Sequence, residues 1–146
     1  MVERFARFSY AIFEISRCWH KLAAEEMEKY GLKGTFSVYL LALQRNDGLT
    51  SAKLCEMCGR DKADVSRAVS LMLEKGFVRR EGSNYRAALY LTESGRQAAE
   101  LVCCRAARGV ALAGQGFSEE DREVFYRVLE TVTANLQDLS KEGMPE

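Results

Sequence analysis

The stretch LTSAKLCEMCGRDKADVSRAVSLMLEKGFVRR, Leu49 to Arg80, contains two short helical patterns separated by a polar bend. Thr50 or Ser51 is placed to cap the first pattern, SAKLCEMC, which stops at Gly59. Ser and Thr favour the N-cap position because their hydroxyls accept a backbone N–H, and Gly ends helices because it tolerates a left-handed backbone. The first pattern therefore predicts a short helix followed by a tight turn.

The second pattern predicts a longer helix that begins after Asp61, a good N-cap, with Asp64 three residues on in a capping-box position. Gly76 ends it. Its predicted apolar face consists of Val65, Ala68, Val69, Met72 and Leu73. A short helix and a longer one across a tight turn form a helix-turn-helix.

After Gly76 the helical period is lost, and FVRRE and RAALYL are short runs compatible with β-strands. They are separated by GSNY, residues 82–85, which is rich in turn-forming residues. We predict a β-hairpin with a polar tip, which would form a wing beside the second helix.

Helical patterns also flank this region on both sides. The first predicted helix closes at Gly31, the second covers about residues 35–45, and a long Ala-rich helix runs from Thr92 to about Ala113. A final helix opens with a capping box at Ser118 and Asp121. The first helix carries a heptad seam of Phe5, Phe8, Ile12, Ile15, Trp19 and Leu22. The last carries a stripe of Val124, Phe125, Val128, Val132, Leu136 and Leu139. The seam predicts packing against other helices, in a core or in a dimer interface.

Composition indicates one globular domain. The 146 residues are 47% apolar and 29% charged, and no apolar run approaches the length that a membrane span needs. The N-terminal residues carry glutamates and lack a cleavage site, so we expect no signal peptide. Five cysteines, an odd number, favour reduced thiols and a cytoplasmic location.

The formal net charge is zero, which argues against a protein that coats nucleic acid unselectively. The charge is not evenly spread, because residues 51–91 hold eight basic and five acidic side chains, a local excess of +3. This mild positive excess coincides with the predicted helix-turn-helix and hairpin.

In a helix-turn-helix the second helix presents its N-terminal half to the major groove of DNA. Arg67 is suited to a guanine edge, and the serines to bases or phosphates. The predicted DNA-binding residues on the two helices are Ser51, Lys53, Lys62, Asp64, Ser66, Arg67 and Ser70. Those on or beside the hairpin are Arg79, Arg80, Asn84 and Arg86, which would hold phosphates or enter a minor groove.

The quoted stretch, followed by LYLTESG, resembles the MarR family of bacterial winged helix-turn-helix regulators, and the flanking helices match the family's arrangement. The resemblance implies a mainly α fold with a small β-hairpin wing. It also implies that residues 1–30 and 92–140 form dimerisation helices around a winged helix-turn-helix at 34–91, with a tail at 141–146. Such a homodimer would bind double-stranded DNA at a pseudo-palindromic operator. The wing departs from the family, because Asn84-Tyr85-Arg86 stands where an Asp-x-Arg in a longer charged loop is usual.

Cys55 and Cys58 form a CxxC, but this motif has no matching ligand set. A structural zinc needs about four ligands, and the chain has one histidine, His20, and only the Cys103-Cys104 pair besides. A thioredoxin-like site needs a βαβ context, which is absent from the pattern. We expect neither a metal nor a cofactor, and interpret the two thiols as buried structural residues.

Cys18 is the candidate redox sensor. The family resemblance implies this role, because some members sense peroxide through a first-helix cysteine assisted by tyrosines, here Tyr30 or Tyr39. A neighbouring cation would lower the pKa of such a thiol. Otherwise Cys18 packs in an interface, and the effector is a small aromatic molecule bound where the seam meets the DNA-binding lobe, or there is no effector.

Enzymatic patterns are lacking: there is no Ser/His/Asp order, no glycine-rich phosphate loop and no pair of carboxylates in an evident cleft. Two hypotheses follow. In the first, the protein is a dimeric, sequence-specific repressor that a ligand or thiol oxidation releases from DNA. In the second, it is a winged-helix structural or protein-interaction dimer that does not bind specific DNA.

Overall fold

The computed structural model describes residues 2–82 and 86–144. They form six helices and one hairpin in the order α1 (Val2–Glu28), α2 (Phe36–Arg45), α3 (Ser51–Cys58), α4 (Lys62–Glu74), β1 (Val78–Glu81), β2 (Ala88–Leu91), α5 (Glu93–Ala113) and α6 (Glu119–Glu142). The predicted fold class, mainly α with a small hairpin, is confirmed. None of the helices in the described ranges is long and apolar enough to cross a membrane.

The turn between α3 and α4 is built as the sequence predicts. The Thr50 hydroxyl, rather than that of Ser51, accepts the backbone N–H of Lys53 at 3.2 Å and caps α3. Gly59 then takes a left-handed conformation, φ +60°, which lets the backbone N–H of Arg60 donate to the carbonyl of Cys55 at 3.1 Å. Such a glycine stop satisfies carbonyls at the helix end and turns the chain sharply into α4.

The first compact unit, Met1–Arg105, has its core between α2, α3, α4 and the hairpin, closed by the end of α1 and the start of α5. The predicted apolar face of α4 is buried there, except for Leu73, which is half-buried. The buried core residues are Met27, Leu32, Phe36, Tyr39, Leu40, Leu43, Leu54, Val65, Ala68, Val69, Met72, Val78, Leu89, Leu91, Ala98, Ala99 and Val102. This core fixes α4 against α3, so the helix-turn-helix is a rigid element.

The hairpin is antiparallel, with Val78 opposite Leu91 and Arg80 opposite Leu89. Leu89 also forms a bridge to Leu49, whose carbonyl accepts the Leu89 N–H at 2.9 Å. The sequence did not predict this third contact. Since it attaches the hairpin to the residue just before α3, it holds the wing beside the helix-turn-helix.

The first turn of α5 lies close against the start of β1. The Thr92 N–H donates to the carbonyl of Phe77 at 3.0 Å, and its hydroxyl donates to that of Gly76 at 2.6 Å. Gly95 is buried so near the Phe77 carbonyl that any Cβ would overlap its oxygen. The segment LTESG, Leu91 to Gly95, therefore joins the wing to the long helix α5, and only glycine fits at position 95.

A buried tyrosine reaches the first turn of α4. Tyr39 is 1% exposed, and its hydroxyl donates to Asp64 Oδ2 at 2.8 Å. The predicted capping box at the start of α4 is consequently only half right. Asp61 Oδ1 accepts the Asp64 N–H at 2.8 Å, but the Asp64 carboxylate binds the Tyr39 hydroxyl instead of returning to the cap.

The seam of α1 stays outside the core of its unit. All six predicted seam side chains are exposed, from 40% at Ile12 to 70% at Phe5, and only the last turn of α1 enters the core through Met27. At that end Glu26, itself 9% exposed, lies 2.7 Å from Lys29 and 3.6 Å from Arg105 of α5. Intrachain packing thus accounts for the end of α1 but not for its aromatic face.

The second unit, Ala106–Glu146, contains the end of α5 and all of α6. The predicted capping box is complete here: the Ser118 and Asp121 backbone N–H groups each donate to the other residue's side chain at 3.1 Å. No described residue of α6 is buried. Its predicted stripe is exposed, apart from the half-buried Val132 and Leu139.

Replacing Tyr39 by Phe removes one hydroxyl from the core and leaves the Asp64 carboxylate without its buried donor. We expect the free energy of unfolding at pH 7 to fall by about 1–2 kcal/mol. This is at the low end of the range for a hydrogen bond to a charged group, because Asp64 is partly exposed. Urea denaturation followed by circular dichroism measures it. Glu100→Ala, on the exposed face of α5, is the control and should change stability little.

The same variant tests the pH dependence. Burial, and then the hydrogen bond to Asp64, raise the pKa of Tyr39 above its ordinary value of 10.0. The neutral phenol therefore stabilises the folded state fully below pH 10, and this contribution is lost as the pH rises further. The stability difference between the wild type and Tyr39→Phe should narrow above pH 10. A constant difference up to the alkaline limit of folding would contradict this role of the hydroxyl.

Candidate nucleic-acid interface

A groove of about 410 Å³ lies between α3, α4 and the hairpin. It is lined by Ser51, Ala52, Cys55, Lys62, Ser66, Val69, Arg80 and Ala87. Four of these, Ser51, Lys62, Ser66 and Arg80, are predicted DNA-binding residues that come from three separate elements. The tertiary structure therefore gathers two cations and two hydroxyls around one concave, partly apolar surface.

The hairpin separates its two adjacent arginines. Side chains alternate along a strand, so Arg80 lies on the same face as the buried Val78 and points toward the groove. Arg79 lies on the opposite face, where its guanidinium forms an ion pair with Glu81 and stacks over the Tyr90 ring at 4.6 Å from the centroid. Arg80 is available to a ligand in the groove, whereas Arg79 already has two intrachain contacts.

The face of α4 opposite the core carries most of the other predicted residues. Lys62, Ser66, Arg67 and Ser70 are all exposed there. Lys62 and Ser66 face the groove, while the Arg67 side chain is 74% exposed and its Nη2 lies 3.9 Å from Asp64 Oδ1. These polar side chains project from the first three turns of the second helix, the part that enters a major groove.

Other predicted residues are placed differently. Lys53 lies outside the groove lining, and its ammonium is 2.9 Å from Glu56 Oε2. Arg86 is exposed where the hairpin loop rejoins β2. Asn84 falls outside the described residues, so its predicted contact remains a prediction.

Hydrogen bonding keeps the acid at the start of α4 ionised. The Asp64 backbone N–H, as the largest influence, holds the pKa of Asp61 below its usual value. The free N–H groups of a helix N-terminus favour a negative charge in this way. The N-terminus of α4 thus carries two carboxylates, that of Asp61 at the N-cap and that of Asp64 in the first turn.

The cysteines are all free thiols. Cys55 and Cys58 pack on the edge of the core, and both are half-buried rather than buried as predicted. Burial raises the pKa of the Cys58 thiol, which makes it less reactive. No cluster of three or more potential metal ligands occurs within residues 2–82 and 86–144.

Cys18 is exposed on α1, with Arg17 Nη2 3.7 Å from its sulfur, but the same nitrogen donates to Glu14 Oε2 at 2.7 Å. The two tyrosines proposed to assist it are engaged elsewhere. Tyr39 donates to Asp64, and the Tyr30 ring packs edge-on against Phe77, with centroids 5.9 Å apart.

Sequence reasoning missed two contributors to this surface. Cys55 was considered only as half of a CxxC, yet it lines the groove. Tyr39 gave no signal as a partner of Asp64, because the two residues are 25 positions apart and belong to different helices. An aromatic residue with a polar end in an otherwise apolar helix is the one available hint, since buried hydroxyls need partners.

Known proteins resemble the chain in both sequence and structure. Residues 30–87 match the MarR family model. An uncharacterised HTH-type transcriptional regulator, YybA of Bacillus subtilis (strain 168), is 25% identical over 126 residues, covering 84% of each chain.

Solved structures superimpose on most of the chain. A MarR-family regulator from Silicibacter pomeroyi has a TM-score of 0.73 and 27% identity, covering 87% of this chain and 88% of its own. A MarR-family protein from Listeria monocytogenes, solved in complex with 26-mer DNA, has a TM-score of 0.81 and 24% identity, covering 94% and 95%. The helix-turn-helix, the wing and these likenesses agree, and the chain resembles MarR-family winged helix-turn-helix transcriptional regulators in both sequence and fold.

Proposed function

We propose that this protein is a homodimeric repressor that binds a pseudo-palindromic operator through the groove and exposed face of α4, and that an effector releases it. The groove carries the proposal. It places the cations Lys62 and Arg80 and the hydroxyls of Ser51 and Ser66 around one concavity. Cations and hydroxyls in this arrangement suit the phosphates and base edges of duplex DNA. Such a regulator would act in the cytoplasm, where the DNA is.

Phosphate and base contacts fall to different residues. Arg80 and Arg86, on the wing side, are suited to phosphates, and Lys62 and Ser66 border the same groove. The Arg67 side chain is 74% exposed on the reading face of α4 and is suited to a bidentate contact with guanine O6 and N7. Specificity therefore rests mainly on α4, and affinity on the cations around it.

The terminal helices supply the dimer interface in this proposal. The aromatic face of α1 and the stripe of α6 are each exposed in the single chain, although large exposed apolar faces are rare on monomers. A second copy would bury it. Two copies related by a two-fold axis would then present their α4 helices about 34–36 Å apart, one turn of DNA.

Release from DNA is proposed to follow a shift of the dimer toward a form whose α4 spacing no longer matches the operator. The trigger would be oxidation of Cys18 or a small aromatic ligand bound beside the seam. The exposed thiol and its arginine neighbour support the first route. The described groove belongs to the reading surface and is not the predicted effector pocket, which stays a prediction.

Binding to DNA is tested by fluorescence anisotropy with the protein's own upstream intergenic DNA, titrated with salt. Specific binding should weaken steeply with salt, because several phosphate contacts release counterions. Arg80→Ala should weaken binding to all sequences and reduce the slope of log K against log salt by about 1. Arg79→Ala is the matched control on the neighbouring position, and it should change the slope less because Arg79 faces the other side of the hairpin.

If neither that DNA nor a random-sequence selection gave specific binding at low salt, the hypothesis of a sequence-specific DNA-binding regulator would be excluded. The apolar terminal helices would then support the alternative, a winged-helix dimer that interacts with proteins rather than DNA.

Dimerisation is tested by analytical ultracentrifugation of Ile15→Glu. Ile15 is 61% exposed in the chain, so the charge should leave the monomer folded. In the dimer it would remove a buried side chain worth about 1.5–3 kcal/mol, so the dissociation constant should rise at least about tenfold. Lys53→Glu, on α3, is the charge-changing control and should leave the dimer intact. A wild type that sediments as a monomer at micromolar concentration would contradict the proposal.

The thiol route is tested by adding mild peroxide to the protein–DNA complex. Oxidation of Cys18 should release the DNA, dithiothreitol should restore binding, and Cys18→Ser should bind but not respond. Cys103→Ser, another exposed thiol, is the control and should respond like the wild type. A response retained in Cys18→Ser would remove this residue as the sensor, and no response in the wild type would favour a ligand.

A further inference from the structure

Arg67 lies on the reading face of α4, with Asp64 one helical turn before it and Asp61 near enough to interact with it electrostatically. The guanidinium is 3.9 Å from Asp64 Oδ1, one helical turn away, and three-quarters of the side chain is exposed. That distance is too long for a hydrogen bond but close enough for electrostatic attraction. The carboxylate therefore favours conformers of the Arg67 side chain that lie toward Asp64, without fixing the side chain in one conformation.

The carboxylate is itself held in place from inside the protein. Asp64 Oδ2 accepts the Tyr39 hydroxyl at 2.8 Å, and Tyr39 is 1% exposed in the core of the lobe. With one oxygen bound to a buried donor, the other oxygen has a fixed direction, toward Arg67. The two oxygens thus serve different partners, and a continuous path runs from the core of α2 to the exposed arginine.

We infer that Tyr39 and Asp64 are positioning residues that determine the base specificity of Arg67. This inference rests on the proposed function. Arg67 makes the base contact, Asp64 restricts the directions from which it does so, and Tyr39 fixes Asp64. None of these roles requires Tyr39 to touch DNA.

The physical reason lies in the change of surroundings on binding. In the free protein the pair of Asp64 and Arg67 is solvated, and such exposed pairs contribute little to stability. When DNA covers α4, water leaves and the effective dielectric constant falls, so the carboxylate acts on the guanidinium more strongly. A preoriented arginine also loses less side-chain entropy on binding, which favours the base that matches its geometry.

The carboxylate has an opposite effect on binding to DNA in general. A negative charge on the reading face is repelled by phosphates of any sequence. Asp64 should therefore increase discrimination between bases while decreasing affinity for all DNA. A residue that merely stabilised the fold would raise both quantities or neither.

The test compares Asp64→Asn, Tyr39→Phe and the wild type on the selected operator and on DNA altered at the base that Arg67→Ala identifies. Asp64→Asn should reduce discrimination at that base about five- to tenfold. It should also raise affinity for unrelated DNA about two- to fivefold at low salt. Tyr39→Phe keeps the charge, so it should reduce discrimination at the same base and leave affinity for unrelated DNA unchanged.

Two further comparisons make the result specific. In an Arg67→Ala background, both substitutions should lose their effect on discrimination, as the non-additivity of coupled residues requires. Glu74→Gln, the same charge change at the other end of α4, should leave discrimination unchanged. Circular dichroism establishes that each variant is folded, and Asp64→Asn keeps the side-chain shape should Tyr39→Phe fail to fold.

The inference would be overturned if Asp64→Asn left discrimination between bases unchanged, or if it lowered discrimination by the same factor in the Arg67→Ala background. Either result would still be compatible with the proposed DNA-binding function. Parallel losses of affinity for operator and unrelated DNA would also overturn it, since they indicate a structural role. Absence of any specific binding by the wild type would overturn the proposed function itself, and the two failures are therefore distinguishable.

Discussion

The hydrogen bond between Tyr39 and Asp64 connects the core of this protein to the first turn of α4. A phenol buried in an apolar core must find a partner, because an unsatisfied polar group there costs about 1–3 kcal/mol. Here the partner is a carboxylate in the first turn of α4, 2.8 Å away. The position of α4 therefore depends on this hydrogen bond as well as on apolar packing. A hydrogen bond is directional, so it opposes a shift of α4 along α2 more than apolar contacts do. The same contact gives a surface residue a fixed orientation that solvent alone would not provide.

The hairpin depends on a comparable set of directional contacts. On one side of the hairpin, β2 is hydrogen-bonded to Leu49. On the other side, Thr92 and Gly95 pack against the residues just before β1. A two-stranded hairpin is marginally stable in isolation, so these attachments explain how a wing of four-residue strands keeps a defined place. Arg80 can line the groove only because the hairpin is fixed in this way. Arg79, one residue earlier, is directed to the other face by the same pleat.

The helix-turn-helix lobe has a complete core of its own, whereas the aromatic face of α1 and the whole of α6 contribute almost nothing to a core within the chain. The apolar residues of the protein thus form two sets. One set packs in the core around the helix-turn-helix, and the other is exposed on α1 and α6. The last turn of α1, with Met27 in the core and Glu26 close to Arg105, is the part of α1 that packs against the helix-turn-helix lobe and the start of α5.

Local signals in the sequence determined the elements of this protein. Capping residues such as Thr50, Asp61 and Ser118, the glycine stops and the change from helical to alternating period depend on interactions within a few residues, so they predicted the helices and hairpin directly. The resemblance of the central stretch to a known family likewise gave the winged helix-turn-helix. Contacts between distant residues were beyond local reasoning. Only the tertiary structure decided that Asp64 binds Tyr39, that Arg79 and Arg80 have separate surroundings, that Cys55 lines the groove, and that the seam of α1 stays outside the core. These depend on how whole elements pack and which face each one presents, and the spacing of residues along one chain does not specify that.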